Sequence, residues 1–377
     1  MINFSFDNEE YFDILKTQAI HMDQGVCYCP EYVATRSMSY YPSRVAQVIM
    51  AVYLGQMEAT EYGANMIFSS ILSGQGERWQ NFGENSTNYL LTNILGRQLF
   101  VEKGFKKQEA ENLKSTIKSN SGHILPIEKD LTDIWKDNIQ TSPDSSTYLL
   151  IDDATFVYAS KSSRKFGEFL HSNGIVPMRD IEPVFLGFEY LAAGLLDEGK
   201  AVLSKLIDDL TKKGVKRVIT LSGQSNFMLT EICERFGICH DMEIIDVLDC
   251  ANSLDVVRAY IYGGSFYTRI LWKYQQFNHL ILNRREEKVA NSWEFVPLLS
   301  GDRRVNEVGL WTAPICPEYL PSWKNDEVFE RIYQNGISEL KRASFAQIVI
   351  CDPYCYNTLM ENGFEQLETE YFLNVLE

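Results

Sequence analysis

The chain has 377 residues, 45% of them hydrophobic and 12% aromatic, so it is long enough for two or three domains with sizeable cores and is not a disordered polymer. Thirty-five Lys and Arg against 51 Asp and Glu leave a net charge of −16, which opposes binding to nucleic acid or to an anionic membrane. No apolar run reaches the ~20 residues of a membrane span, and the first residues lack the basic and apolar regions of a secretory signal. The expectation is a cytoplasmic chain without an integral membrane segment. Its eight cysteines are too sparse for a disulfide scaffold and read as reduced thiols or metal ligands.

Residues 1–145 read as mostly helical. Apolar side chains recur at helical spacing over 43–54 and stop before Gly55; 62–72 and 89–101 look like two more helices, and 106–119 reads as a charged helix. The glycines of 73–83 follow no strand, so they carry no phosphate-cradle reading. Residues 141–146, Thr-Ser-Pro-Asp-Ser-Ser, form the best linker. Beyond it the rhythm changes to short apolar strands alternating with helices. Strands are expected at 148–152, 215–221 and 243–247, with helices at 163–172, 190–213 and 227–236. Such alternation argues for a parallel α/β sheet. Asp152 and Asp153 stand at the carboxyl end of the first strand, where such sheets bind ligands, although a helix cap is the commoner use of such a pair.

The rhythm repeats. At an offset of 130 residues, Leu203, Ile207, Leu210 and Val218 fall on Tyr333, Ile337, Leu340 and Ile348. The turn Ser222–Ser225 falls on Asp352–Cys355, and Phe185-Leu186-Gly187 on Ile315-Cys316-Pro317. One repeat of this length implies duplication of an α/β unit rather than a solenoid. Residues 347–359 read as a buried strand entering a tight turn that carries Cys351 and Cys355. The five histidines show no paired metal-binding spacing, and no P-loop, nucleophile elbow or dinucleotide fingerprint is present; Gly263-Gly264-Ser265 lacks the required spacing. Cys233, Cys239 and Cys250 read as small packed hydrophobes.

These stretches resemble the cysteine-rich CCG-domain family: the B subunit of heterodisulfide reductase and the iron–sulfur subunits of glycolate, lactate and glycerol-3-phosphate oxidation. In that family each half carries a strand-end cysteine, a Cys-Cys-Gly, a helix, and a strand ending in Cys-Pro-x-Cys. Residues 185–200 and 214–219 are similar to the family text except at the cysteines, and 348–359 resembles the second Cys-Pro-x-Cys turn. Cys29-Pro30-Glu31-Tyr32, followed by Tyr41-Pro42-Ser43-Arg44, looks like the end of the first cluster motif of a fused ferredoxin-like module; 67–97 resembles its second motif region. The resemblance implies an α/β fold: a helical ferredoxin-like domain at 1–145, then two pseudo-symmetric Rossmann-like units at 146–262 and 263–377.

The cluster ligands, however, are largely replaced. A [4Fe–4S] cluster needs four thiolates, yet the positions preceding Cys29 are Gly25, Met22 and Ala19, and no cysteine lies between Ser69 and Ser86. The first unit has Asp153, Phe185-Leu186, Ser222 and Ser225 at ligand positions. The second keeps Cys316 and Cys355, has Asp352 where a cysteine belongs with Cys351 one residue away, and places Leu280 or His279 near the strand-end position. Cys316, Cys351, Asp352, Cys355 and His279 are therefore the candidate metal ligands. The expectation is no cofactor, with a single Zn²⁺ or Fe²⁺ at these residues as the alternative and a [4Fe–4S] cluster excluded by the ligand count. The resemblance implies an oxidoreductase-type subunit, depleted of clusters, acting as a structural, regulatory or binding partner of flavin or iron–sulfur subunits, with its own activity left open. Two further readings stand beside it: a redox or metal enzyme using the remaining thiols, and a small-molecule binder with a site between the halves.

Overall fold

The computed structural model describes residues 4–20, 29–75, 89–106, 108–285, 289–291, 306–309, 313–319, 327–342, 346–362 and 368–377. The expected helices of the N-terminal part appear as Pro42–Tyr53, Glu61–Phe68, Tyr89–Glu102 and Gln108–Ser119, preceded by Glu9–Ile20. Pro42 starts its helix at a position where a missing N–H costs nothing, and Val45, Ala46, Ile49 and Val52 turn one face into the core. Thr60 caps the next helix by accepting the Gly63 N–H at 3.1 Å. Among the described residues, no helix is long and apolar enough to cross a membrane.

The remainder is α/β with two wholly parallel sheets. The first has the order β2 (Pro183–Val184), β1 (Thr147–Asp152), β3 (Arg217–Thr220), β4 (Glu243–Asp246). The second runs β6 (Val289–Asn291), β7 (Asn306–Val308), β5 (Ala259–Tyr262), β8 (Gln347–Ile350), β9 (Glu368–Tyr371). Apart from the extra edge strand β6, the two orders correspond: β1 pairs with β3 as β5 pairs with β8, and β3 with β4 as β8 with β9. The repeat read at an offset of 130 survives residue for residue between β3 and β8. The division between the units differs from the expected 262/263, because β5 is hydrogen-bonded to β7 and β8 and so belongs wholly to the second sheet.

Side chains alternate faces along each strand, as the two-residue strand period requires. Tyr148, Leu150, Val218, Tyr260, Tyr262, Ile348 and Ile350 join one buried cluster, shared with the helical domain. Leu149, Ile151, Ile219, Ile261 and Val349 join a second cluster on the opposite faces.

The helix expected over 190–213 is two helices, Phe188–Ala192 and Leu196–Lys212. The break is at Gly194, whose φ of +76° is left-handed. A methyl group there would meet the Arg97 backbone carbonyl carbon at 2.6 Å. Arg97 itself is fully buried and ties the helical domain to the first unit: it donates to Ala192 O and Ser70 O, each at 2.6 Å, and to Asn93 Oδ1 at 2.9 Å. Gly194→Ala combines left-handed strain with a backbone clash at this seam, and is expected to cost about 2–4 kcal/mol in urea denaturation. An unchanged midpoint would show that the seam yields freely.

Candidate thiol–carboxylate site

In each sheet the chain reverses its direction of growth between β1 and β3, or between β5 and β8. Open parallel sheets form their crevice at the strand carboxyl ends beside such a switch. The segments that leave those four strands meet one another across the two units. The helix Asp153–Tyr158 packs on the helix Pro353–Glu361, and reciprocally Gly223–Phe227 packs on Phe266–Ile270. Tyr158 meets Tyr354 edge-on at 5.9 Å, and Phe227 meets Phe266 at 5.6 Å. The Tyr354 hydroxyl donates to Glu189 Oε1 at 3.0 Å across the same seam, with both side chains buried. Burial, the dominant cause, raises the Glu189 carboxyl to about 7.

At this seam the second unit gathers Cys316, Asp352 and Cys355, whose ligand atoms lie within 4.8 Å of one another. The two Sγ atoms are 3.1 Å apart. The stretch expected to be a tight turn is instead a helix start: Asp352 caps Pro353–Glu361 by accepting the Cys355 N–H on Oδ1 at 2.7 Å, which places Cys355 in the first turn. Cys316 enters from the segment 313–319, whose Glu318 accepts the N–H groups of Ser265 at 2.6 Å and Phe266 at 3.4 Å. Gly264 is required at this closest approach. Its φ is +71°, and a Cβ there would sit 3.0 Å from Glu318 Oε1 and 3.1 Å from Asp352 Cβ. Glu318 and Gly264 were not singled out as site residues. The available signal was Glu318 two positions after Cys316 and the Gly-Gly-Ser run at the end of β5.

Burial dominates the electrostatics. It raises both thiols, and together with the Glu318 charge it pushes Asp352 well above the usual carboxylate range. Burial also raises Glu318, against the pull of Arg269.

The other two expected ligands lie elsewhere. Cys351 still donates its N–H to Tyr262 O at 2.9 Å as an extension of β8, so its side chain follows Val349 into the opposite cluster, while Cys355 belongs to the first. It therefore does not join the Cys316 group. His279 is an exposed residue in the middle of the helix Tyr274–Arg285. The pairing of Leu149 with Ile219 and of Ile261 with Val349 puts Gly264 and Ser265, not His279 or Leu280, at the positions corresponding to Asp152 and Asp153.

The matching place in the first unit is closed by hydrogen bonds. Asp152 caps its helix as the commoner reading had it, accepting from Thr155 N at 3.0 Å, Thr155 Oγ1 at 2.8 Å and Ser225 Oγ at 3.0 Å. Ser222 and Ser225 hydroxyls lie 2.8 Å apart. Asp153 turns away to His123 Nδ1 and Ile124 N, each at 2.8 Å. Leu186 is buried apolar contact.

In the helical domain, Cys29 is buried with its Sγ 3.1 Å from Glu31 Oε2, and Ala19 packs in the core. Cys27, Met22, Gly25 and residues 76–86 of the second motif region lie outside the described residues. Cys233 is buried and Cys250 half-buried, but Cys239 is exposed, not packed. A cleft of about 430 Å³ on the helical domain, lined by Val52, Met57, Glu58, Lys103 and Phe105, shares no residue with the thiol site.

Comparison with known proteins finds no matching family model, no matching curated protein and no matching solved structure, so the chemistry assigned to this site rests on the chain's own residues.

Proposed function

We propose that the chain is a cluster-free member of a redox complex of the heterodisulfide reductase type, and that it holds one divalent metal, Zn²⁺ in preference to Fe²⁺, between Cys316, Asp352 and Cys355. The observation that supports this reading is the convergence of two buried sulfurs and one carboxylate within 4.8 Å at the seam between the units, in a place whose counterpart is filled by a hydrogen-bonded Asp–Ser lock. Two thiolates and a carboxylate are a zinc-like donor set, and three protein donors leave one tetrahedral position for a further ligand. They are one thiolate pair short of a [4Fe–4S] cluster. Next to the metal, Glu318 and the Asp352 cap hold the two ligand-bearing segments in place through backbone N–H groups.

In this reading the helical domain is ferredoxin-like, the two α/β units are Rossmann-like, and the partners are flavin or iron–sulfur subunits. Elemental analysis with an absorption spectrum on anaerobically purified protein is the test. About one zinc per chain and a colourless solution are expected. About four irons per chain with visible absorption would overturn the cluster-free reading, and protein that stays metal-free after dialysis against zinc would overturn the metal site.

A further inference from the structure

We propose that Cys316 and Cys355 also form a two-electron couple that reduces one hydroperoxide and closes a disulfide between them. The two Sγ atoms are 3.1 Å apart, about 1 Å beyond a disulfide bond. Their carriers are fixed on both sides: Cys355 by the Asp352 cap, and the Cys316 segment by Glu318 bound to Ser265 N. The pairing is exclusive among the described residues. Cys351, the nearest cysteine in sequence, faces the opposite cluster, and Cys29 lies beside Glu31 in the helical domain.

The Cys316 residue retains 9% exposure and Cys355 none, so the proposal assigns the encounter with the oxidant to Cys316. Its sulfur attacks the terminal peroxide oxygen; the O–O bond breaks, the Cys316 thiol proton passes to the departing oxygen, and a sulfenic acid remains on Cys316 while an alcohol, or water from hydrogen peroxide, leaves. The Cys355 sulfur then displaces the sulfenic hydroxyl, which departs with the Cys355 proton as water while the S–S bond forms. Two thiols lose two electrons and two protons, and the peroxide takes up both. The disulfide uses both sulfurs that a metal would need, so oxidation releases the metal. That last step rests on the metal reading above; the couple itself does not.

The test treats the full chain with hydrogen peroxide in two forms, metal-stripped and zinc-loaded, followed by intact-mass measurement and peptide mapping. The stripped protein is expected to lose two hydrogens and yield a Cys316–Cys355 cross-linked peptide, unchanged in Cys351→Ser. The zinc-loaded protein is expected to release zinc to a chromogenic chelator in step with that cross-link. In Cys355→Ser, oxidation is expected to stop at oxygen adducts on Cys316. A different cysteine pair, or oxygen adducts on Cys316 with no cross-link in the wild-type chain, would overturn the couple. A chain that takes up no zinc but forms the cross-link supports the couple and removes the metal reading alone.

Discussion

Cys355→Ser is expected to abolish stoichiometric zinc binding, lowering affinity by more than about 100-fold, while Cys351→Ser leaves it intact. The contrast follows from geometry. Cys355 Sγ lies against Cys316 Sγ, with Asp352 completing the group, whereas the Cys351 side chain points to the other face of β8. Serine keeps the backbone N–H that Asp352 accepts, so the helix start survives the change. Binding is also expected to be strongly pH-dependent. Burial raises both thiols, so zinc must displace two thiol protons, and a third wherever Asp352 is also protonated; apparent affinity therefore rises with pH by about 100-fold per unit or more while the ligands remain protonated. Competition titration against a chromogenic chelator at several pH values reads both effects. Equal losses in the Cys351 and Cys355 variants would sink the assignment.

Asp246→Asn is expected to remove most of a pH-dependent loss of stability. Asp246 ends β4, is buried, and accepts Leu248 N–H on Oδ1 at 2.9 Å, while among the described residues its Oδ2 meets no donor in hydrogen-bond geometry. Burial, the largest influence, raises Asp246 from 3.8 to about 7, although Lys273 Nζ at 3.7 Å opposes it. The folded protein therefore holds a proton that the unfolded chain gives up at lower pH. Stability is fully present below about pH 4 and is lost as pH rises through about 7, by about 4 kcal/mol at most. Asparagine keeps the capping oxygen and cannot ionise. Urea denaturation at pH 4.5 and 8 is expected to show near-equal stability at the lower pH and a variant more stable by about 2–4 kcal/mol at the higher. Parallel curves for the two proteins would show that the Asp246 charge is already accommodated.

Much of the local structure was legible in the chain. The helical faces, such as Val45 to Val52, the strand–helix rhythm after residue 146, and the correspondence of 218 with 348 all follow from periodicities that neighbouring residues impose on one another. Boundaries were misread where one residue overrides a pattern. Gly194 breaks an otherwise continuous helical stretch with a left-handed φ, and Asp352 makes an expected tight turn the start of a capped helix.

What the sequence by itself determined is the inventory: an acidic chain of repeated strand–helix rhythm, with eight thiols scattered along it. The tertiary structure alone decided which of those thiols meet. Cys351 and Cys355 are four residues apart yet lie in different clusters, because a strand sends adjacent side chains to opposite faces and the following helix redirects the chain. Cys316 and Cys355 are 39 positions apart yet nearly touch, because segments leaving parallel strands converge at the carboxyl ends of the sheets. Glu318 and Gly264 join them only through that same convergence, and the packing of the two units on each other encloses the group.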